Sequence, residues 1–130
     1  LVASTVNVAI GQRLLRMVCQ KCKSKRSLSP EELTSLEEVI PDVAKMGTKT
    51  FFSGKGCSEC GQTGYRGRIG IREVIAVSDN IRQLIMSRAN ASQIKEAAIR
   101  DGMTTMLEDS LAKAAKGITS MEEILRVVHE

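Results

Sequence analysis

Four cysteines carry the strongest chemical signal in this chain. They form Cys19-Gln-Lys-Cys22 and Cys57-Ser-Glu-Cys60, with 34 residues between the pairs. A two-residue gap lets both thiolates of a pair reach one ion from a tight turn, and two such pairs complete a tetrahedral four-sulfur shell. Cys19, Cys22, Cys57 and Cys60 are therefore expected to hold one structural Zn²⁺. Iron remains chemically feasible, because four tetrahedral sulfurs admit either metal. Two disulfides would require an oxidising compartment that nothing in the sequence marks, and a single redox pair would leave the other pair unexplained. Gly61 follows the second pair and can take a positive φ without a Cβ clash. Lys21, Lys23, Lys25, Arg26 and Lys55 crowd the same stretches of sequence, and such cations are expected to lower thiol pKa values. The sole histidine, His129, is next to the last residue, and neither a histidine nor a carboxylate stands where an open catalytic position would need one. The metal is expected to be structural, with no catalytic and no cofactor-binding residue.

The elements that must position these knuckles are legible to different degrees. Residues 1–12 fit both a helical stripe (Val2, Val6, Ala9, Ile10) and a strand alternation (Val6, Val8, Ile10). Leu14 to Val18 reads as a short buried strand entering the first knuckle. Ser29-Pro30-Glu31-Glu32 has Ser at the N-cap, Pro at the first helical position and Glu at the third, and Leu33, Leu36, Val39 and Ile40 then recur at helical spacing until Pro41. This acidic helix is an insertion between the knuckles. Thr48 to Ser53, with Phe51-Phe52, predicts a strand into the second knuckle, and Arg68 to Val77 alternates as a further strand. Four short helices follow. Their signals are Ser78-Asp79 before Ile81, Leu84 and Ile85; Asn90 to Ser92 before Ile94, Ala97 and Ala98, with Gly102 as the stop; a Thr105/Glu108 capping box, with Gly117 as the stop; and a Ser120/Glu123 capping box before Met121, Ile124, Leu125 and Val128.

Size and composition narrow the function classes. The chain has 130 residues, of which 42% are hydrophobic and 26% charged, a globular balance that allows one modest core. Aromatic residues are only 2%, which disfavours stacking nucleic-acid bases on aromatic faces. No apolar run approaches the roughly 18 residues that span a bilayer. Leu at position 1 suggests an excised piece of a longer chain. The net charge of +4 is segmented: +6 over residues 1–30, −3 over 31–60, +3 over 61–88 and −2 over 89–130. A basic face can meet phosphate, or simply solvate the surface.

Absent motifs matter equally. No Gly-x-x-x-x-Gly-Lys-[Ser/Thr] occurs, so nothing here can cradle a triphosphate as a P-loop does. Glycines 64, 67 and 70 precede a strand instead of opening a helix, which disfavours a dinucleotide site. A zinc ribbon binding nucleic acid or protein stays open as an alternative, weakened by the lack of aromatics and by the acidic insertion. A chaperone-like zinc module, suggested by CSECGQTG, is weaker still, because Gln62 occupies a required Gly.

The order QRLLRMVCQKC, a charged insertion, GCSECGQTGYRGRIGIREVI and DGMTTMLEDSLAKAAKGITSMEEILRV resembles the C-terminal part of the type II secretion and type IV pilus assembly ATPases, over essentially all of residues 1–130. The likeness is to the tetracysteine, zinc-containing branch. It implies an α+β, mostly α fold. Residues 1–18 would end a RecA-like core, 19–66 would form the tetracysteine zinc subdomain with short strands and an inserted helix, and 67–130 would give a return strand and a C-terminal helical subdomain. It further implies a cytoplasmic hexamer, peripheral at the inner membrane, that binds ATP and Mg²⁺ and drives a membrane platform. Partners would then be neighbouring subunits, platform proteins or cytoplasmic adaptors, with no nucleic acid expected. The family's nucleotide-binding segments lie upstream of anything present, so only Cys19, Cys22, Cys57 and Cys60 carry over, as zinc ligands. Arg66, Arg68 and Arg72 are candidates for facing nucleotide, a neighbouring subunit or the platform.

Overall fold

A computed structural model describes residues 2–45 and 50–128, and the fold is α+β. In chain order the elements are α1 (Val2–Thr5), β1 (Val8–Val18), β2 (Lys23–Ser27), α2 (Pro30–Val39), a 3₁₀ helix over Pro41–Lys45, β3 (Thr50–Gly54), a 3₁₀ turn over Ser58–Cys60, β4 (Tyr65–Ala76), α3 (Asp79–Met86), α4 (Ala91–Arg100), α5 (Met106–Ala115) and α6 (Met121–Val128). Strand β1 pairs with β4, and β2 with β3. Two compact units emerge, one from residues 1–12 with 72–106, the other from 13–71 with 107–130. The four C-terminal helices are thus shared out: α3 and α4 fall in the first unit, α6 and nearly all of α5 in the second.

In the first unit, Ile81, Ala97 and Ala98 are buried, with Ile75, Val77, Leu84, Ile85, Ile94 and Met103 packed against them. Local chemistry fixes the helix ends. The Ser78 hydroxyl accepts from the Ile81 N–H, Asn90 and Gln93 form a reciprocal capping box, and Gly102 takes φ +100° directly after the C-cap of α4. The Arg82 guanidinium donates to the Ala3 carbonyl and to Asn7 Oδ1, tying α3 to the first residues. At the start of α5 the Met106 N–H donates to the Glu73 carboxylate at 3.1 Å.

In the second unit the predicted insertion helix forms as α2, with both halves of the Ser29/Glu32 capping box in place. The predicted strand into the second knuckle is β3; Thr48 lies outside the described residues. Three differences have clear causes. Residues 2–12 resolve into a single helical turn and then β1, which runs eleven residues rather than five, with Leu15 and Val18 buried and Leu14 half exposed. Lys-Ser-Lys-Arg-Ser forms β2, antiparallel to β3 with Lys25 opposite Phe52 and Ser27 opposite Thr50. It carries no apolar residue whose alternation could reveal it; the paired backbone of β3 makes it a strand. Finally, the Ser120 hydroxyl accepts from the Glu123 N–H, but the Glu123 carboxylate does not act as the cap partner. It is only 1% exposed, accepting from the Arg16 backbone N–H at 2.7 Å, the Arg16 guanidinium at 3.0 Å and the Arg126 Nε at 3.1 Å.

That carboxylate is a pH-dependent strut. Burial alone would raise the pKa of Glu123, but the Arg126 and Arg16 donors outweigh it and hold the group at about 2. Because the folded value lies below the unfolded one, the stabilisation is complete above the ordinary carboxylate range near 4.3 and is lost as pH falls toward about 2. The difference corresponds to about 3 kcal/mol. Urea unfolding of the parent and of Glu123→Gln should diverge by this amount at neutral pH and converge in acid. Parallel pH profiles would refute the assignment.

Candidate metal centre

The first knuckle is the turn that leaves β1, and the second is the 3₁₀ turn over Ser58–Cys60 that follows β3. Pairing of β2 with β3 brings the two turns to the same end of the ladder, since Lys23, next to Cys22, sits opposite Gly54. All four sulfurs lie within 4.8 Å of one another. Cys19 Sγ lies 3.7 Å from Cys57 Sγ, Cys22 Sγ 3.8 Å from Cys60 Sγ, and Cys57 Sγ 3.6 Å from Cys60 Sγ. A tetrahedral Zn²⁺ with Zn–S bonds of about 2.3 Å requires sulfur separations of about 3.8 Å. A disulfide requires about 2.0 Å, so these cysteines are free thiols spaced for a shared ion.

The loop backbone serves the sulfurs directly. The Gly56 N–H donates to Cys22 Sγ at 3.3 Å, the Cys57 N–H to Cys60 Sγ at 3.3 Å, and the Gly64 N–H to Cys60 Sγ at 3.2 Å. Amide donors of this kind stabilise negative charge on sulfur and orient the ligand. Burial would raise the Cys60 pKa, but the Cys57 and Gly64 amides bring it down to about 6. Cys19 is also lowered, chiefly by the Cys22 amide, whereas burial drives Cys22 up to about 11. Four adjacent thiols cannot all ionise without a compensating cation, and a bound dication supplies that compensation. The sequence assigned the pKa lowering to nearby lysines. The structure instead places Lys23 over the Phe52 ring at 4.7 Å and pairs Arg26 with Glu32 and Glu122, so the amides are the stronger cause.

Glycine makes this backbone path possible. A Cβ on Gly54 would fall 2.2 Å from the Gly64 carbonyl oxygen, and Gly64 itself has φ +82°. Gly64 further accepts from the Cys19 N–H at 2.9 Å, so one residue joins both knuckles. Gly61 takes φ +63°, as expected from its place after Cys60. Gln62 adopts φ 65°, an uncommon conformation for a residue with a side chain.

The other sequence candidates stand apart from the cysteine quartet. Arg66 pairs with Glu59 at 2.9 Å, Arg68 is exposed, and Arg72 falls in the first unit. His129 lies outside the described residues. The network of Arg16, Glu123 and Tyr65 was not recognised from sequence, because its members are far apart in the chain. The Arg16 guanidinium stacks 4.1 Å from the Tyr65 ring centre, and the Tyr65 hydroxyl is 2.6 Å from Ser120 Oγ.

Four close thiols on two turns, beside a two-stranded ladder and an inserted helix, define a tetracysteine module, and the wider sequence places it in a family. The family described as type II/IV secretion system protein matches residues 1–126, and the chain belongs to it. The chain is 43% identical to the type IV pilus assembly ATPase PilB of Thermus thermophilus over 116 residues, covering 89% of this chain and 13% of that protein. It is 38% identical to PilB of Pseudomonas aeruginosa over 98% of this chain and 22% of that protein. It is 35% identical to the type II secretion system ATPase E of Vibrio cholerae over its full length and 25% of that protein. The chain therefore spans a quarter or less of the length of these relatives. Among the described residues, no helix is long and apolar enough to cross a membrane.

Proposed function

We propose that this chain is the zinc-containing region of a hexameric motor ATPase powering type IV pilus assembly or type II secretion, and that it serves structure, subunit contact or platform coupling, with catalysis lying elsewhere. The observation that carries the metal assignment is the closed quartet of Cys19, Cys22, Cys57 and Cys60, spaced for tetrahedral zinc with its amide donors in place. When bound, the ion neutralises four thiolates and locks two loops together; the residues themselves supply orientation through the Gly56, Cys57 and Gly64 amides. The named relatives are ATPases of pilus and secretion machines, which supports the motor reading.

Within that reading, residues 1–18 continue a RecA-like core, 19–66 form the metal subdomain and 67–130 complete the C-terminal part. The parent protein binds ATP and Mg²⁺, works in the cytoplasm at the inner membrane, and contacts neighbouring subunits and platform or adaptor proteins. Phosphoryl transfer depends on a phosphate-cradling loop, its lysine and metal-holding side chains, and no such loop motif occurs in residues 1–130. Calorimetric titration of ATP and Mg²⁺ into the chain, with phosphate release measured in parallel, is expected to give neither micromolar affinity nor turnover. Either result would place catalytic parts within this region and overturn the division of labour.

A further inference from the structure

Within the second unit, the segments of β1 and β4 that belong to it and helix α6 each bring an arginine to one small cavity. Arg16, Arg68 and Arg126 line it together with Leu14, and its volume is about 280 Å³. An adjoining cavity of about 250 Å³ shares Arg16 and Arg68 and adds Arg66 from the same strand. Four guanidiniums thus border the two spaces, against two carboxylates. Glu123 engages Arg16 and Arg126, and Glu59 engages Arg66. The exposed Arg68 side chain has no hydrogen-bond or ion-pair partner among the described residues.

The arrangement is organised beyond what surface charge requires. Glu123 is buried and holds Arg16 through both its backbone N–H and its guanidinium, while the Tyr65 ring stacks on the same guanidinium at 4.1 Å. Tyr65 is in turn fixed by its hydroxyl contact with Ser120 at 2.6 Å. A guanidinium held in one plane presents its remaining N–H groups without losing further side-chain freedom on binding. We propose that these joined cavities form an anion site for a phosphate dianion. The excess of two positive charges matches a dianion, and arginine forks from different elements suit a tetrahedral oxyanion better than a single carboxylate, which would leave one cation unmatched. Free phosphate and the phosphates of a nucleotide share this chemistry.

The test uses the full 130-residue chain, zinc-loaded, with arginine side-chain and backbone amide resonances followed by NMR as inorganic phosphate is titrated at constant ionic strength, chloride serving as the reference anion. Saturable shifts are expected at Arg16 and Arg68, with a dissociation constant on the order of millimolar at low salt. Arg68→Gln should weaken binding about tenfold, because one charge-assisted pair is removed, while leaving the fold unchanged. Arg68→Lys should retain part of the affinity, and it carries the same comparison if the glutamine variant fails to fold. Parallel titrations with ADP and ATP separate the sources. A nucleotide binding well above inorganic phosphate, and sensitive to Arg68, identifies nucleotide phosphates; equal affinity identifies free phosphate. Shifts that do not saturate, that chloride reproduces, that spread over Lys21, Lys25 and Lys55, or that survive Arg68→Gln unchanged would overturn the proposal.

Discussion

Stripping the metal from this chain is expected to unfold the knuckles and the β2–β3 ladder between them, while α3 and α4 keep their hydrogen-bonded amides. Structural zinc in small modules contributes on the order of 10 to 16 kcal/mol, as much as the whole stability of a typical domain. The second unit depends on it most, because the cysteines close both ends of the loops that enter and leave the ladder, and two of them, Cys19 and Cys60, are buried in it. The first unit has its own buried cluster of Ile81, Ala97 and Ala98 and its own caps at Ser78 and Asn90. Elemental analysis should return one zinc per chain, and Cys57→Ser should lower that content sharply. Hydrogen exchange before and after chelation should show protection lost over residues 19–65 and retained in α3 and α4. Equal loss in both units, or a metal content indifferent to Cys57→Ser, would refute the dependence.

Replacing Gly54 by alanine should cost more than 4 kcal/mol, or prevent metal loading altogether. The added methyl would meet the Gly64 carbonyl oxygen at 2.2 Å, and the obstacle is backbone, which cannot swing aside as a flexible side chain does. Gly64 also donates to Cys60 Sγ and accepts from the Cys19 amide, so any shift that relieves the clash pulls on ligands of both knuckles. Gly61→Ala is the internal control. A Cβ there meets nothing within 4 Å, and only the left-handed conformation at φ +63° is penalised, by about 1 kcal/mol. Thermal unfolding of the zinc-saturated variants measures both. Equal effects at the two glycines would mean that backbone conformation, and not the close approach of Gly54 to Gly64, sets their importance.

What could be read in advance was the local chemistry. The capping box at Ser29 depends on residues three positions apart and formed as its spacing indicates, and α3 and α4 begin where Ser78-Asp79 and Asn90 mark a helix start. The cysteine quartet was legible for the same reason, since each pair is a short-range device and only the meeting of the pairs is long-range. What escaped was decided by partners distant in sequence. Strand β2 is polar throughout and takes its conformation from β3; the approach of Gly54 to Gly64 leaves no mark on either residue's neighbours. Glu123 shows the limit clearly. Its position three residues after Ser120 matches a capping pattern, yet Arg16, 107 residues away, claims the carboxylate.

That separation bears on how the polypeptide matures during synthesis. The sulfurs that meet across the knuckles are 38 residues apart, so all four can gather once Cys60 has cleared the ribosome. Two partners of β1, the Ile118 carbonyl for Val18 and Glu123 for Arg16, follow Cys60 by 58 and 63 residues. At translation rates of about 5 to 20 residues per second, the nascent chain spends about 3 to 12 seconds with its thiols able to gather and Val18 and Arg16 still without these hydrogen-bond partners. Ion capture in that interval shortens the later search, because a closed loop restricts the conformations from which α6 must find its place. On the zinc reading proposed above, a shortage of the ion would leave chains stalled with their knuckles unjoined, so metal supply would govern the yield of this protein as well as its endurance once made.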